Sequence, residues 1–198
     1  METTALHRPG AAPLSLHLKE DTRATHERLD TAIMAARPFD SIQNYGHFLR
    51  MQFVLHRDVA ALYEHPELVR FFPYLGDLPR FEAVKLDLAD LKIDEPAYPD
   101  FSLRTQVPDL ATAVGWLYVI EGSNLGAAVL LKAARKLDLS ETWGARHLAP
   151  ASEGRAVHWR QFKESLDAVD MDRADQERAV HGANEAFLHA RALAQFFL

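Results

Sequence analysis

An all-α, single-domain helical bundle is the fold this sequence predicts, and three observations predict it. Apolar residues recur at helical spacing along nearly the whole chain, and no stretch alternates long enough to build a sheet. The length, 198 residues of which 48% are hydrophobic, suits one compact domain with a sizeable core. Nine Gly and ten Pro are too few for a low-complexity or fibrous chain.

The elements follow in order. Residues 1–14 are polar, carry two prolines and read as a flexible arm without the apolar run of a signal peptide; residues 15–198 form the domain. Ser15 is a candidate N-cap for a first helix reaching about Ala36, ahead of Pro38, with Leu18, Thr22, Thr25 or His26, Leu29 and Ile33 turned inward. Ser41 caps a second helix that runs to about Tyr63, ahead of Pro66. Its stripe is Tyr45, Phe48, Leu49, Gln52, Phe53, His56, Val59, Ala60 and Tyr63. A short helical piece spans Glu67 to Phe72, and Pro79 suits the first position of a helix carrying Phe81, Val84, Leu88 and Leu91. Lys92 to Pro108, with three prolines, is a surface connection. Asp109 caps an apolar helix to about Leu137, and two amphipathic helices follow at Arg155 to Val169 and Asp172 to Phe197.

Composition excludes several functions. With no cysteine there is no disulfide scaffold, thiolate metal site or iron–sulfur cluster. The 28 acids against 22 bases give a net charge of −6, and no dense basic cluster suggests nucleic acid. Leu110 to Leu131 has the apolarity of a membrane span, but Glu121, Ser123 and Asn124 sit near its middle, where a charge is expensive in lipid. A buried core helix is expected, no membrane partner, and a cytoplasmic address.

Polar groups break the helical stripes in three places. Gln52 and His56, four apart, share one face of the second helix. They fit either ordinary satisfied core hydrogen bonds or a wetted interior, since an unpartnered buried polar group costs roughly 1–3 kcal/mol. His26 on the first helix fits a structural histidine as well as a ligand. Gly122 and Gly126 lie mid-helix, each costing about 1 kcal/mol relative to alanine. They fit a groove for close helix packing, or a helix that bends and offers bare backbone to a flat ligand.

The run Leu18-Lys19-Glu20-Asp21-Thr22-Arg23-Ala24-Thr25-His26, the blocks Gly115-Trp116-Leu117-Tyr118 and Glu121-Gly122-Ser123-Asn124-Leu125-Gly126-Ala127-Ala128, and Gly144-Ala145-Arg146-His147-Leu148-Ala149-Pro150 with His158-Trp159-Arg160 occur in this order. Together they resemble the soluble bacterial haem oxygenases, specifically the branch found in iron-acquiring bacteria, over about Leu16 to Phe197. The resemblance implies an all-α bundle with haem sandwiched between a proximal helix and a glycine-kinked distal helix. It implies that His26 ligates the haem iron, that Gly122, Ser123 and Gly126 lie over the distal face, and that Lys19 and Tyr118 engage the propionates. Asn124, Gln52, His56, Arg80 and His147 match positions in or near a distal water network. Trp159 and Phe187 match aromatic positions near the pocket, and Phe81 stands where relatives carry a tyrosine. Lys19 precedes His26 by seven residues, about two turns, so both can share a face.

The activity so implied is oxidative cleavage of haem to biliverdin, carbon monoxide and ferrous iron, with haem as substrate and prosthetic group and O2 as co-substrate. Electrons would come from a separate reductase or ferredoxin, since no nucleotide or flavin motif occurs here, and the purpose implied is iron acquisition. A non-catalytic haem carrier or sensor is the alternative. A thiamin-degrading or quinone-forming enzyme on the same scaffold is a second, which predicts no axial ligation by His26.

Overall fold

The computed structural model describes residues 12–75, 80–99 and 109–198, and they fold as a helical bundle. Pro79, most of the N-terminal arm and the end of the connection before Asp109 lie outside these residues. The helices are α1 (Leu14–Ala35), α2 (Ile42–Asp58), α3 (Pro66–Phe71), α4 (Arg80–Asp90), α5 (Leu110–Ala134), α6 (Arg155–Ala168) and α7 (Arg173–Phe197). Among the described residues there is no β-strand, only isolated bridges from Ser140 to Trp143 and Gly144.

Side-chain caps set three of the starts. Ser41 accepts from the Asn44 amide, Asp109 from the Thr112 amide, and Asp172 and Asp175 form a reciprocal box at the head of α7. Ser15 does not cap α1. The helix begins one residue earlier at Leu14 after Pro13, and the Ser15 amide and hydroxyl instead both donate to the Asp167 carboxylate, at 2.7 and 2.8 Å, joining α1 to the end of α6. The second helix is also shorter than its stripe predicts. It ends at Asp58, and a 3-10 turn at Ala60–Glu64 carries the chain to Pro66, the tighter winding common at helix ends.

α5 and α7 form the spine. Gly115 and Gly182 let their backbones meet: a Cβ on Gly115 would stand 1.9 Å from the Ala179 carbonyl oxygen, and one on Gly182 2.3 Å from that of Thr112. α5 is long and apolar enough to cross a bilayer, yet Glu121 within it is only 1% exposed and fully engaged with protein groups, as befits a core helix. α1 packs on α7, and both α1 and α5 touch α6, but α1 and α5 make little contact with each other. α7 is therefore the wall that α1 and α5 share, with a gap, the slot, where those two helices do not pack on each other.

Candidate active site

Gly115, Gly122 and Gly126 are seven and four residues apart, so they fall on one stripe of α5. That stripe opens along its length. Backbone of α7 closes it at Gly115; at Gly122 a Cβ would rest 3.4 Å from the Trp159 ring; at Gly126 it would meet nothing within 4 Å. Close helix packing thus explains Gly115 but neither of the later glycines, and the helix continues unbroken through both. Leu125 and Val129 beside them are exposed, Val129 by 70%.

Across α7 stands His26. Its ring lies against Phe187, centroids 5.1 Å apart and planes 26° from parallel, and Nε2 is 3.3 Å from Asp30 one turn on. Phe187 is one turn beyond Ala183, the α7 residue whose amide borders Gly115. The His26 side chain keeps 57% of its exposure. Thr25 beside it bonds Asn184 of α7 at 2.5 Å, holding this part of α1 in place. Lys19 is exposed on the same helix. Tyr118 is half-buried, its ring 5.6 Å from that of Trp159, and burial raises its hydroxyl above the ordinary range, so it stays a donor. Trp159 in turn stacks on Phe162.

Behind α5 the polar residues fall into two linked groups. In the first, Arg80 donates to the His147 carbonyl at 2.5 Å, and His147 Nδ1 lies 2.8 Å from an Asp87 oxygen that also accepts the His147 amide. His56 is buried beside them, and burial, with Arg80 and His147 nearby, holds its imidazole well below the ordinary range. Burial likewise lowers His147 despite Asp87. Two polar atoms here, Arg80 Nε and His147 Nε2, are buried without a protein partner. In the second group, Asn124 Nδ2 donates to Glu121 at 3.1 Å, and Glu121 also receives Tyr63 and His158.

The sequence-predicted residues therefore gather unevenly. Tyr118, Gly122 and Trp159 meet on one stretch of α5, His26 meets Phe187, and Arg80, His147 and His56 meet in the interior. Gln52 is half-buried but enters no hydrogen bond among the described residues. Ser123 turns its hydroxyl back to the Ile120 carbonyl. Glu121, Tyr63, Asp87 and His158 were assigned no role from sequence. A lone acid in the most apolar helix was the available signal for Glu121; Tyr63 passed as an ordinary stripe residue.

Residues 12–195 match the sequence model of the family described as heme oxygenase. This chain belongs to the haem oxygenase family. Heme oxygenase PigA of Pseudomonas aeruginosa is 40% identical over 166 residues, 84% of this chain and 83% of that protein. The solved heme oxygenase of Neisseria meningitidis, bound to NO and CO, superposes with a TM-score of 0.88 at 40% identity, covering 94% of this chain and 92% of that one. Heme oxygenase 2 of Chlamydomonas reinhardtii shares the fold, with a TM-score of 0.78 at 18% identity over 94% of this chain and 98% of that one. A haem oxygenase is a haem-degrading oxygenase, with haem its substrate and prosthetic group. The residues here fit such a flat, apolar, anionic-edged molecule: an exposed imidazole on α1 and, on α5, a helix stripe where Gly126 leaves a side chain's space open, both helices resting on α7.

Proposed function

We propose that this haem oxygenase binds haem in the slot with His26 as the iron ligand, and cleaves it to biliverdin, carbon monoxide and ferrous iron using O2. Electrons come from a separate reductase or ferredoxin, and the reaction runs in the cytoplasm to acquire iron. The observations carrying this reading are the exposed His26 imidazole of α1, seated on Phe187 of α7, and the stripe of α5, packed on the same α7, that has no side chains at Gly122 and Gly126.

Bound haem supplies both the oxygen-activating iron and the ring that is opened. The chain's own residues supply position and protons. Phe187 fixes the plane of the His26 ring. An imidazole ligand lacks the strong electron push of a thiolate. Lys19 and the Tyr118 hydroxyl bind propionate oxygens at the slot's edge, the first by charge and the second as a hydrogen-bond donor. Gly122 and Gly126 would present peptide backbone to the ring, with no side-chain acid or base at those two positions.

Proton supply then falls to ordered water further back. Asp87 keeps the His147 proton on Nδ1, which leaves Nε2 an acceptor, while Arg80 Nε faces the same interior as a donor. Unpartnered donors and acceptors of this kind are what buried waters satisfy. His56, held neutral by burial and by Arg80 and His147, offers that interior one hydrogen-bond donor and one acceptor. Adding an electron donor and air to the haem-loaded protein tests the reading: it predicts loss of the Soret band with release of bilin, whereas a carrier or sensor keeps the band.

A further inference from the structure

Glu121 is a carboxylate buried in the middle of the most apolar helix, one residue before Gly122. Its Oε1 accepts the Tyr63 hydroxyl at 2.5 Å, and its Oε2 lies 2.7 Å from His158 Nε2 and 3.1 Å from the Asn124 amide nitrogen. His158 is held from its other side by Glu153, Nδ1 to Oε1 3.0 Å, and the Tyr74 ring stands edge-on to it at 5.9 Å. The next residue, Trp159, is the one whose ring meets Gly122. Arg155, one turn before Trp159, donates to the Asn124 carbonyl at 2.9 Å. One carboxylate thus gathers α5, α6 and the 3-10 turn after α2 around the first glycine of the open stripe.

A buried ion pair adds little net stability over an apolar replacement, while loss of one partner is costly. Packing therefore does not explain a charge at this place, but geometry does. We infer that Glu121 is a positioning residue, acting through His158, Tyr63 and Asn124 to fix the backbone of Gly122 and the ring of Trp159 against the slot. The inference rests on the haem-cleaving function proposed above. Both His158 ring nitrogens face carboxylates; the Glu121 hydrogen bond raises the imidazole despite burial, and Glu153 adds to the rise. Glu121 is faced by Tyr63 and His158, by Asn124 on its own helix, and electrostatically by Arg80, so Glu121, Glu153, His158 and Arg80 balance in sign.

The test uses Glu121→Gln and His158→Gln, which keep a polar side chain of similar reach while removing the charge and part of the hydrogen bonding. In the ligand-free proteins, amide exchange of residues 120–127 speeds up about tenfold in both variants, while that of α7 residues 179–194 stays unchanged; a tenfold rise is a loss of about 1.4 kcal/mol of local protection. In the haem-loaded proteins, both variants keep stoichiometric uptake and KM, kcat falls roughly ten- to a hundredfold as expected of a misplaced reacting group, and the bilin becomes a mixture of isomers. The double variant is no worse than either single one. Wild-type exchange, kcat and isomer ratio in Glu121→Gln would overturn the positioning role, as would additive losses or exchange that rises throughout the chain. Absence of bilin from the unaltered protein would overturn the proposed cleavage itself and this inference with it.

Discussion

His26 and Phe187 stack across the α1–α7 interface at 5.1 Å, so the exposed imidazole takes its orientation from a ring that is itself buried. The two residues then differ in what they contribute. Phe187→Ala removes core packing and should cost about 3–5 kcal/mol of stability. His26→Ala should leave the thermal midpoint nearly unchanged, because the side chain is mostly in solvent, yet abolish nitrogen coordination and turnover. Thermal unfolding of both variants beside their haem spectra separates the two effects.

The glycines of α5 predict opposite outcomes at two positions on one stripe. Gly126→Leu meets open space in the ligand-free fold and should raise stability by up to about 1 kcal/mol through helix propensity, while blocking turnover. Gly115→Ala drives a Cβ into the α7 backbone and should destabilise by about 3 kcal/mol or more. Denaturant unfolding and bilin yield, measured on the same samples, decide both.

Three buried histidines pull stability in opposite directions with pH. His56 and His147 are lowered by burial, so below the ordinary value of 6.5 the unfolded chain takes up protons that the fold does not, and stability drops on acidification. His158 is raised, so its contribution is complete below 6.5 and is lost as pH climbs through its higher folded value. Each site can contribute a slope of at most about 1.4 kcal/mol per pH unit. Unfolding free energy against pH should peak between these windows; His158→Gln should flatten the alkaline side, and His56→Gln should flatten the acid side.

Lys19 is exposed and enters no side-chain hydrogen bond or ion pair among the described residues, so Lys19→Ala should not alter unfolding. If it holds a propionate, the substitution changes how haem sits in its plane and therefore the ratio of bilin isomers. An unchanged ratio, read by chromatography of the products, removes Lys19 from the site.

Much of this was legible in the sequence, for reasons that differ by residue. Periodicity exposed the long helices that bury one stripe, continuous apolarity exposed α5, which is buried nearly all round from Ala113 to Glu121, and Ser41 and Asp109 cap as their side chains allow. Ser15 misled because a serine near a helix start can also reach a distant partner, and Asp167 is 152 positions away. The glycines were ambiguous for a similar reason: propensity registers the cost of Gly122 and Gly126 but not what lies opposite them, which depends on where α7 and Trp159 pass. Glu121 shows the same limit. A lone acid among apolar residues announces a buried partner, but His158 and Tyr63 come from segments 37 and 58 positions away.

The central claim is that the imidazole of His26 and the bare stripe of α5 bound one haem between them. Titration of the purified protein with haem, followed by resonance Raman measurement of the iron–nitrogen stretch, tests it most directly. The account predicts one haem per chain with an iron–histidine vibration that disappears in His26→Ala. Sub-stoichiometric uptake, or the same vibration persisting in that variant, would contradict it.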